Sequence, residues 1–144
     1  MATSIQVVID CADPDRLATF WATALGYTLQ EPPEGFASWQ AWLSAQGIPE
    51  SEWNSASAII DPERRGPRLY FQRVPEPKTV KNRLHLDLNV SGGAHGASAE
   101  RLARLNTEVE RLVAAGARQV EAREERGEYW IVMRDPEGNE FCLQ

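Results

Sequence analysis

The sequence is short of the residues that would place it in several broad functional classes. It has only two cysteines, Cys11 and Cys142, too few for a disulfide scaffold or a cysteine metal knuckle. Each sits in strand-like sequence where a small apolar residue would serve, so both are expected to be packed free thiols. Basic residues are outnumbered: 15 Lys and Arg against 21 acids give a net charge of −6 and a pI near 5.0. With no basic run or stripe, neither nucleic acid nor an anionic membrane surface is expected as a partner. No apolar run approaches the ~20 residues needed to span a bilayer. The opening MATSIQVVID also lacks a charged n-region followed by a long apolar stretch, so a cytoplasmic location is expected. Disorder is not indicated either: 42% apolar and 25% charged residues over 144 positions are ordinary globular composition, and a single domain over residues 1–144 is expected.

What is present reads as two similar halves. IQVVIDC (5–11) has the β-branched character of a buried strand. ADPDRLATFWATALG predicts a helix capped by Asp13, opened by Pro14, striped with Leu17, Phe20, Trp21, Ala24 and Leu25, and ended by Gly26. Short strands follow at 27–30, SASAIID (55–61) and RLYFQRV (68–74), the last two joined by the turn DPERRGP. PEPKTVKN (75–82) is a linker. In the second half RLHLDLNV (83–90) predicts a strand and SGGAHGAS a loop, in which His95 has no partner signal and is expected to be solvated. Ser98 then caps a helix with Leu102, Leu105, Val109, Leu112 and Val113 on one face, ended by Gly116. ARQVEAR, GEYWIVM and NEFCLQ are three further strands. Each half is thus β-α-β-β-β (residues 1–74 and 83–144), and the turn DPERRGPRLYF is echoed by DPEGNEFCL. The first strands lie 79 residues apart and the turns 74 apart, the pattern of an internal duplication.

One stretch has no counterpart in the other half. Residues 36–53 hold Trp39, Trp42 and Trp53, three of the five tryptophans. Trp39, Trp42 and Leu43 at i, i+3, i+4 predict about two helical turns from Ser38, stopped by Gly47 and Pro49. Such a helix is too short to stand alone. The insertion is read as a lid whose Trp39 or Trp42 forms an aromatic wall for a ligand, with Trp53 closer to core packing.

Taken together, QVVIDCADPDRLATFWATALGY, HLDLNV and DPEGNEFCLQ resemble the glyoxalase-like branch of the vicinal oxygen chelate superfamily over essentially the whole chain. The resemblance implies an α+β fold in which two tandem βαβββ modules pair into a curved, incompletely closed eight-stranded barrel with the helices outside. It also implies a small molecule in the cavity, often over a divalent metal, and homodimers are common in the fold. Members include glyoxalases, extradiol dioxygenases, epimerases and antibiotic-binding resistance proteins, so fold does not settle function.

Strand alternation shows which side chains would face that cavity. If Val7, Ile9 and Cys11 pack under the helix, Gln6, Val8 and Asp10 face inward. On HLDLNV the inward set is His85, Asp87 and Asn89, and on the last strand it is Glu140, Cys142 and Gln144. Aligning GPRLYFQ with GNEFCLQ adds Arg68, Tyr70 and Gln72. The metal-ligand places carried over from the superfamily are Gln6, Arg68, His85 and Glu140. Gln6, His85 and Glu140 make a plausible ligand set with water, whereas the Arg68 guanidinium repels a cation and would pair with Glu140 or hold a substrate anion. The cofactor is therefore either none or one divalent metal ion. In the metal-free case His85, Asp87, Glu140 and Arg68 form one hydrogen-bonded network, with His85 or Glu140 able to move a proton. Two functions stay open: a lyase or isomerase acting on an oxygenated metabolite through His85, Glu140 and Asp87, or a non-catalytic protein that sequesters a flat or cationic molecule. In both, Arg68, Tyr70, Gln72, Asp10, Asn89, Trp39 and Trp42 would contact the ligand.

Overall fold

The computed structural model describes residues 2–92 and 96–144; His95 lies outside the described residues. The chain divides into two compact units, Met1–Pro77 and Lys78–Gln144. In the first, β1 (Gln6–Cys11) leads into α1 (Pro14–Leu25), and β2 (Thr28–Leu29), α2 (Trp39–Ala45), a 3₁₀ segment (Glu50–Ser55), β3 (Ala56–Ile60) and β4 (Arg68–Arg73) follow. In the second, β5 (Asp87–Leu88) leads into α3 (Ala99–Ala114), then β6 (Arg118–Glu125), β7 (Glu128–Arg134) and β8 (Glu140–Leu143).

The two four-stranded sheets have one topology. Their orders are β1-β4-β3-β2 and β5-β8-β7-β6, with the first strand parallel to the last and the remaining pairs antiparallel. The repeated βαβββ reading of the sequence therefore describes both units. Each helix starts and stops where its sequence says it should. Asp13 accepts the Arg16 N–H at 3.3 Å, and Gly26 closes α1 at φ 69°, a left-handed cap that glycine adopts without steric cost. Ser98 accepts the Arg101 N–H at 3.3 Å.

The cores form between each helix and one sheet face. Leu17, Phe20 and Trp21 of α1 are buried with Ile9, Ile59, Leu69 and Phe71, and Phe20 and Trp21 meet edge to face at 5.3 Å. In the second unit Leu105, Val109 and Leu112 are buried, as are Leu88, Ile131, Met133, Phe141 and Leu143. Cys11 and Cys142 are buried thiols outside any disulfide, as expected.

Two local expectations are corrected. Val113 is 47% exposed and lies off the buried stripe of α3, whose fourth buried residue is instead Arg101, its Nε donating to Ser91 Oγ at 3.0 Å. The strand expected over 83–90 is regular only at Asp87–Leu88. Among the described residues it is an edge strand bonded to β8 alone, although the Cys142 and Gln144 N–H groups, donating to the Leu86 and Leu88 carbonyls at 3.0 and 2.9 Å, continue the extended run. Between Pro49 and β3 the chain also forms a 3₁₀ segment that the sequence reading did not include.

The two Asp-Pro turns are built alike. Asp61 accepts the backbone N–H groups of Glu63, Arg65 and Gly66 at 2.8–3.0 Å, and Asp135 those of Glu137 and Asn139 at 2.9 and 3.0 Å. The bonds from Gly66 and Glu63 hold the Asp61 carboxyl below its usual value, against a smaller opposing effect of burial. Because the native pKa is depressed, the stability it contributes is fully present above the unfolded value of 3.8 and is lost as pH falls through the native value. Acid unfolding followed by circular dichroism should show a shallower loss below pH 3.8 in Asp61→Asn than in the parent. Equal slopes would mean that these turn bonds do not depend on the charge.

Candidate functional site

Residues that pair directly across neighbouring strands share a sheet face. In the first unit Gln6 pairs with Arg68, Val8 with Tyr70 and Asp10 with Gln72, while Tyr70 and Gln72 pair with Ala58 and Ala56 on the other side. Opposite the face that α1 covers, the sheet therefore presents Gln6, Val8, Asp10, Arg68, Tyr70 and Gln72 together, as alternation requires. Val8 is 51% exposed although it lies mid-strand, so this face is not filled by core packing.

Arg68 is the organising side chain of the face. Its Nε donates to Gln30 Oε1 and its Nη1 to Gln6 Oε1, both at 2.7 Å. The guanidinium carbon stands 5.2 Å from the centre of the Tyr70 ring. Among the described residues, every partner of Arg68 is neutral. Gln30 is also where the insertion attaches: Trp39 Nε1 donates to the Gln30 carbonyl at 2.7 Å, and the Trp39 and Trp42 rings meet edge to face at 5.7 Å. α2 buries no residue, and Trp39 is 37% exposed. Trp53 is half-buried, with Nε1 donating to the Ile48 carbonyl at 2.9 Å.

The second unit presents the corresponding face with a different set of polar groups. Asp87 pairs with Cys142, Cys142 with Val132, and Glu140 with Arg134. His85 Nε2 lies 3.1 Å from Asp87 Oδ1, both side chains about half exposed. Asn89 accepts from Gln144 Nε2 at 2.9 Å. Glu140, whose side chain is only 13% exposed, has Lys81 Nζ 3.2 Å from one carboxylate oxygen and Arg134 Nη2 3.5 Å from the other. Burial pushes the Glu140 carboxyl up, but the combined pull of Lys81 and Arg134 outweighs it and holds the group below its usual value. Burial and the nearby carboxylates of Asp87 and Glu140 push the Cys142 thiol up.

Sequence reasoning turned Gln6, Asp10, Arg68, Tyr70, Gln72, His85, Asp87, Asn89, Glu140, Cys142 and Gln144 toward one cavity and joined Arg68 to His85, Asp87 and Glu140 in one network; among the described residues Arg68 instead bonds Gln6 and Gln30, and Glu140 faces Lys81 and Arg134. That reasoning missed Gln30, Lys81 and Arg134. Arg134 had a readable signal, because a five-residue turn from Asp135 to Asn139 sets 134 opposite 140. Lys81 sits in aperiodic linker sequence and had none.

The glyoxalase-like domain family matches residues 6–144. The chain belongs to that family. Solved structures of the same fold include a glyoxalase/bleomycin resistance protein/dioxygenase family enzyme from Burkholderia phytofirmans PsJN, 17% identical over 96% of this chain and 94% of that one, with a TM-score of 0.59. The fosfomycin resistance protein FosX from Listeria monocytogenes, solved as a mutant with Mn(II) and 1S,2S-dihydroxypropylphosphonic acid, is 12% identical over 100% and 90% (TM-score 0.61). The bleomycin-binding protein of Streptomyces verticillus, complexed with copper(II)-bleomycin, is 15% identical over 100% and 96% (TM-score 0.53). At these identities the likeness is one of fold. Among curated proteins none matches the sequence. No helix in the described residues is long and apolar enough to cross a membrane.

Whether Gln6, His85 and Glu140, the expected ligand set, suit a metal can be tested on their partners. Two of the three do not. The one good ligand atom of Gln6, Oε1, is taken by Arg68, and both oxygens of Glu140 face cations. A divalent ion at either residue would have to displace a guanidinium or an ammonium and then sit beside it.

Proposed function

We propose that this glyoxalase-like protein binds a small organic anion with a flat or apolar body, on the open face of the first sheet, with Arg68 as the anion contact. The observation supporting this is the Arg68 guanidinium itself, fixed by two glutamine oxygens and a tyrosine ring and lacking a carboxylate among the described residues. Gln6 and Gln30 use one Nη1 proton and the Nε proton, which leaves Nη2 for a carboxylate or phosphonate. Tyr70, Val8 and the exposed Trp39 supply apolar surface for the rest of the ligand. That relatives hold a phosphonic acid and a metal-bleomycin supports small-molecule binding. The charge of Arg68 turns the reading away from a cationic ligand.

Titration of tryptophan fluorescence with aromatic carboxylates, aromatic phosphonates and their neutral amides or esters tests this. The anions should quench saturably and the neutral analogues should not. Preference for cationic aromatics, or no saturation by any anion, would overturn it.

A lyase or isomerase remains the second reading, because His85 Nε2 lies 3.1 Å from Asp87 Oδ1. Glu140, held by two cations, is the weaker base, so His85 with Asp87 would move the proton. Exchange of solvent deuterium into a bound ligand, abolished in His85→Gln, is its signature.

A further inference from the structure

The second unit brings three different metal-ligating side chains together on its own sheet. His85, Asp87 and Cys142 each offer one donor atom, and these atoms lie within 4.8 Å of one another. Strand pairing explains the convergence. Asp87 and Cys142 are direct partners across β5 and β8 and so share a face, and His85, two residues before Asp87 along an extended run, shares it too.

We propose that His85 Nε2, Asp87 Oδ1 and Cys142 Sγ form a site for a divalent ion of the zinc class, with a fourth position open to water or ligand. Imidazole, thiolate and carboxylate are all established zinc donors, and three protein ligands plus one open position is the pattern of reactive zinc sites. The edges of a tetrahedral zinc site are about 3.3–3.8 Å, from ligand distances of about 2.0–2.3 Å. The Nε2 to Oδ1 separation of 3.1 Å is already near that length. From the separation of up to 4.8 Å the cysteine sulfur must close by up to about 1.5 Å. A thiolate in the set selects Zn(II), Co(II) or Cu over Mg(II) and Mn(II). On binding, Sγ forms a bond to the metal and releases its proton to solvent, with no change of oxidation state. This site uses His85 of the places carried over from the superfamily but replaces the glutamine and glutamate with neighbours from its own sheet, where Glu140 is already engaged by Lys81 and Arg134.

Cobalt(II) added to the chelator-stripped full chain is the probe, with Zn(II) competition as confirmation. One equivalent should bind and give a near-ultraviolet thiolate-to-cobalt charge-transfer band together with visible bands of tetrahedral intensity, and Zn(II) should bleach both. Cys142→Ser and Cys142→Ala should remove the charge-transfer band. Asp87→Asn, at an exposed position where folding is not at risk, should weaken binding at least about tenfold, as should His85→Gln, since loss of even an outer-shell partner costs that much. Glu140→Gln should leave the spectrum unchanged. Absence of a charge-transfer band in the parent overturns the proposal. So does binding that survives Cys142→Ser and Asp87→Asn and disappears in Glu140→Gln.

Discussion

Truncating Trp21 to alanine is expected to lower the melting temperature by about 10 °C, while Trp39→Ala and Trp42→Ala each shift it by only a few degrees. All are Trp→Ala, so the difference lies in what surrounds each ring. Trp21 is 1% exposed and packs edge to face on Phe20 in the layer between α1 and the sheet. Its removal leaves a cavity that the surrounding strands cannot collapse into, a change that costs about 3–5 kcal/mol. Trp39 is 37% exposed on a helix with no buried residue. Its main loss is one hydrogen bond to the Gln30 carbonyl, worth about 1 kcal/mol, which water can replace. Differential scanning calorimetry of the three variants checks this. Melting-point losses for Trp39→Ala and Trp42→Ala as large as that of Trp21→Ala would show the insertion to be core and would end its reading as a lid.

Most of the fold was legible because local signals and burial agreed. Asp13-Pro14, Gly26 and Ser38 marked helix ends by capping chemistry that does not depend on tertiary context, and the repeated Asp-Pro turns marked the duplication. The faces of β1, β4 and β8 followed from period-two alternation, since one face of each strand is apolar and buried. Where burial is one-sided or absent, the reading weakened. Val113 extends an apolar stripe in sequence but lies past the arc that meets the sheet, and Arg101, polar by type, is 3% exposed because Ser91 and the Gly96 carbonyl take its N–H groups. Sequence can say that Arg101 is charged; it cannot say that a loop residue ten positions earlier is waiting for it.

The candidate site was legible as a set of faces and not as a set of partners. Alternation put Gln6 beside Arg68, but nothing in the sequence assigned Gln30, which directly follows β2 and takes the Nε bond. Likewise Glu140 was placed on the correct face, while Lys81 and Arg134, which neutralise it, were not recognised. These partners change the chemistry. A glutamate flanked by two cations is a poor metal ligand and a poor base, and an arginine held by amides keeps its charge for something else.

That charge leads to the second large effect. Arg68→Met is expected to weaken binding of an anionic aromatic ligand by about 10- to 100-fold, the equivalent of losing one charge-assisted contact of about 1.5–3 kcal/mol. The fold should tolerate the change, because the partners left behind are the amides of Gln6 and Gln30 and a tyrosine ring, none of which becomes an uncompensated charge. Arg68→Lys should recover only part of the affinity, since an ammonium keeps the charge but not the planar fork. Gln30→Leu should cost less than Arg68→Met: it frees the guanidinium to wander, while the backbone carbonyl that accepts from Trp39 stays in place. Parent affinity should fall as salt is raised, with a weaker dependence in Arg68→Met. Fluorescence titrations at two ionic strengths, paired with thermal melts to show that each variant is folded, measure all of this. Full affinity and an unchanged salt dependence in folded Arg68→Met would remove Arg68 from the site and leave the charged face of the second unit as the place to look for the ligand.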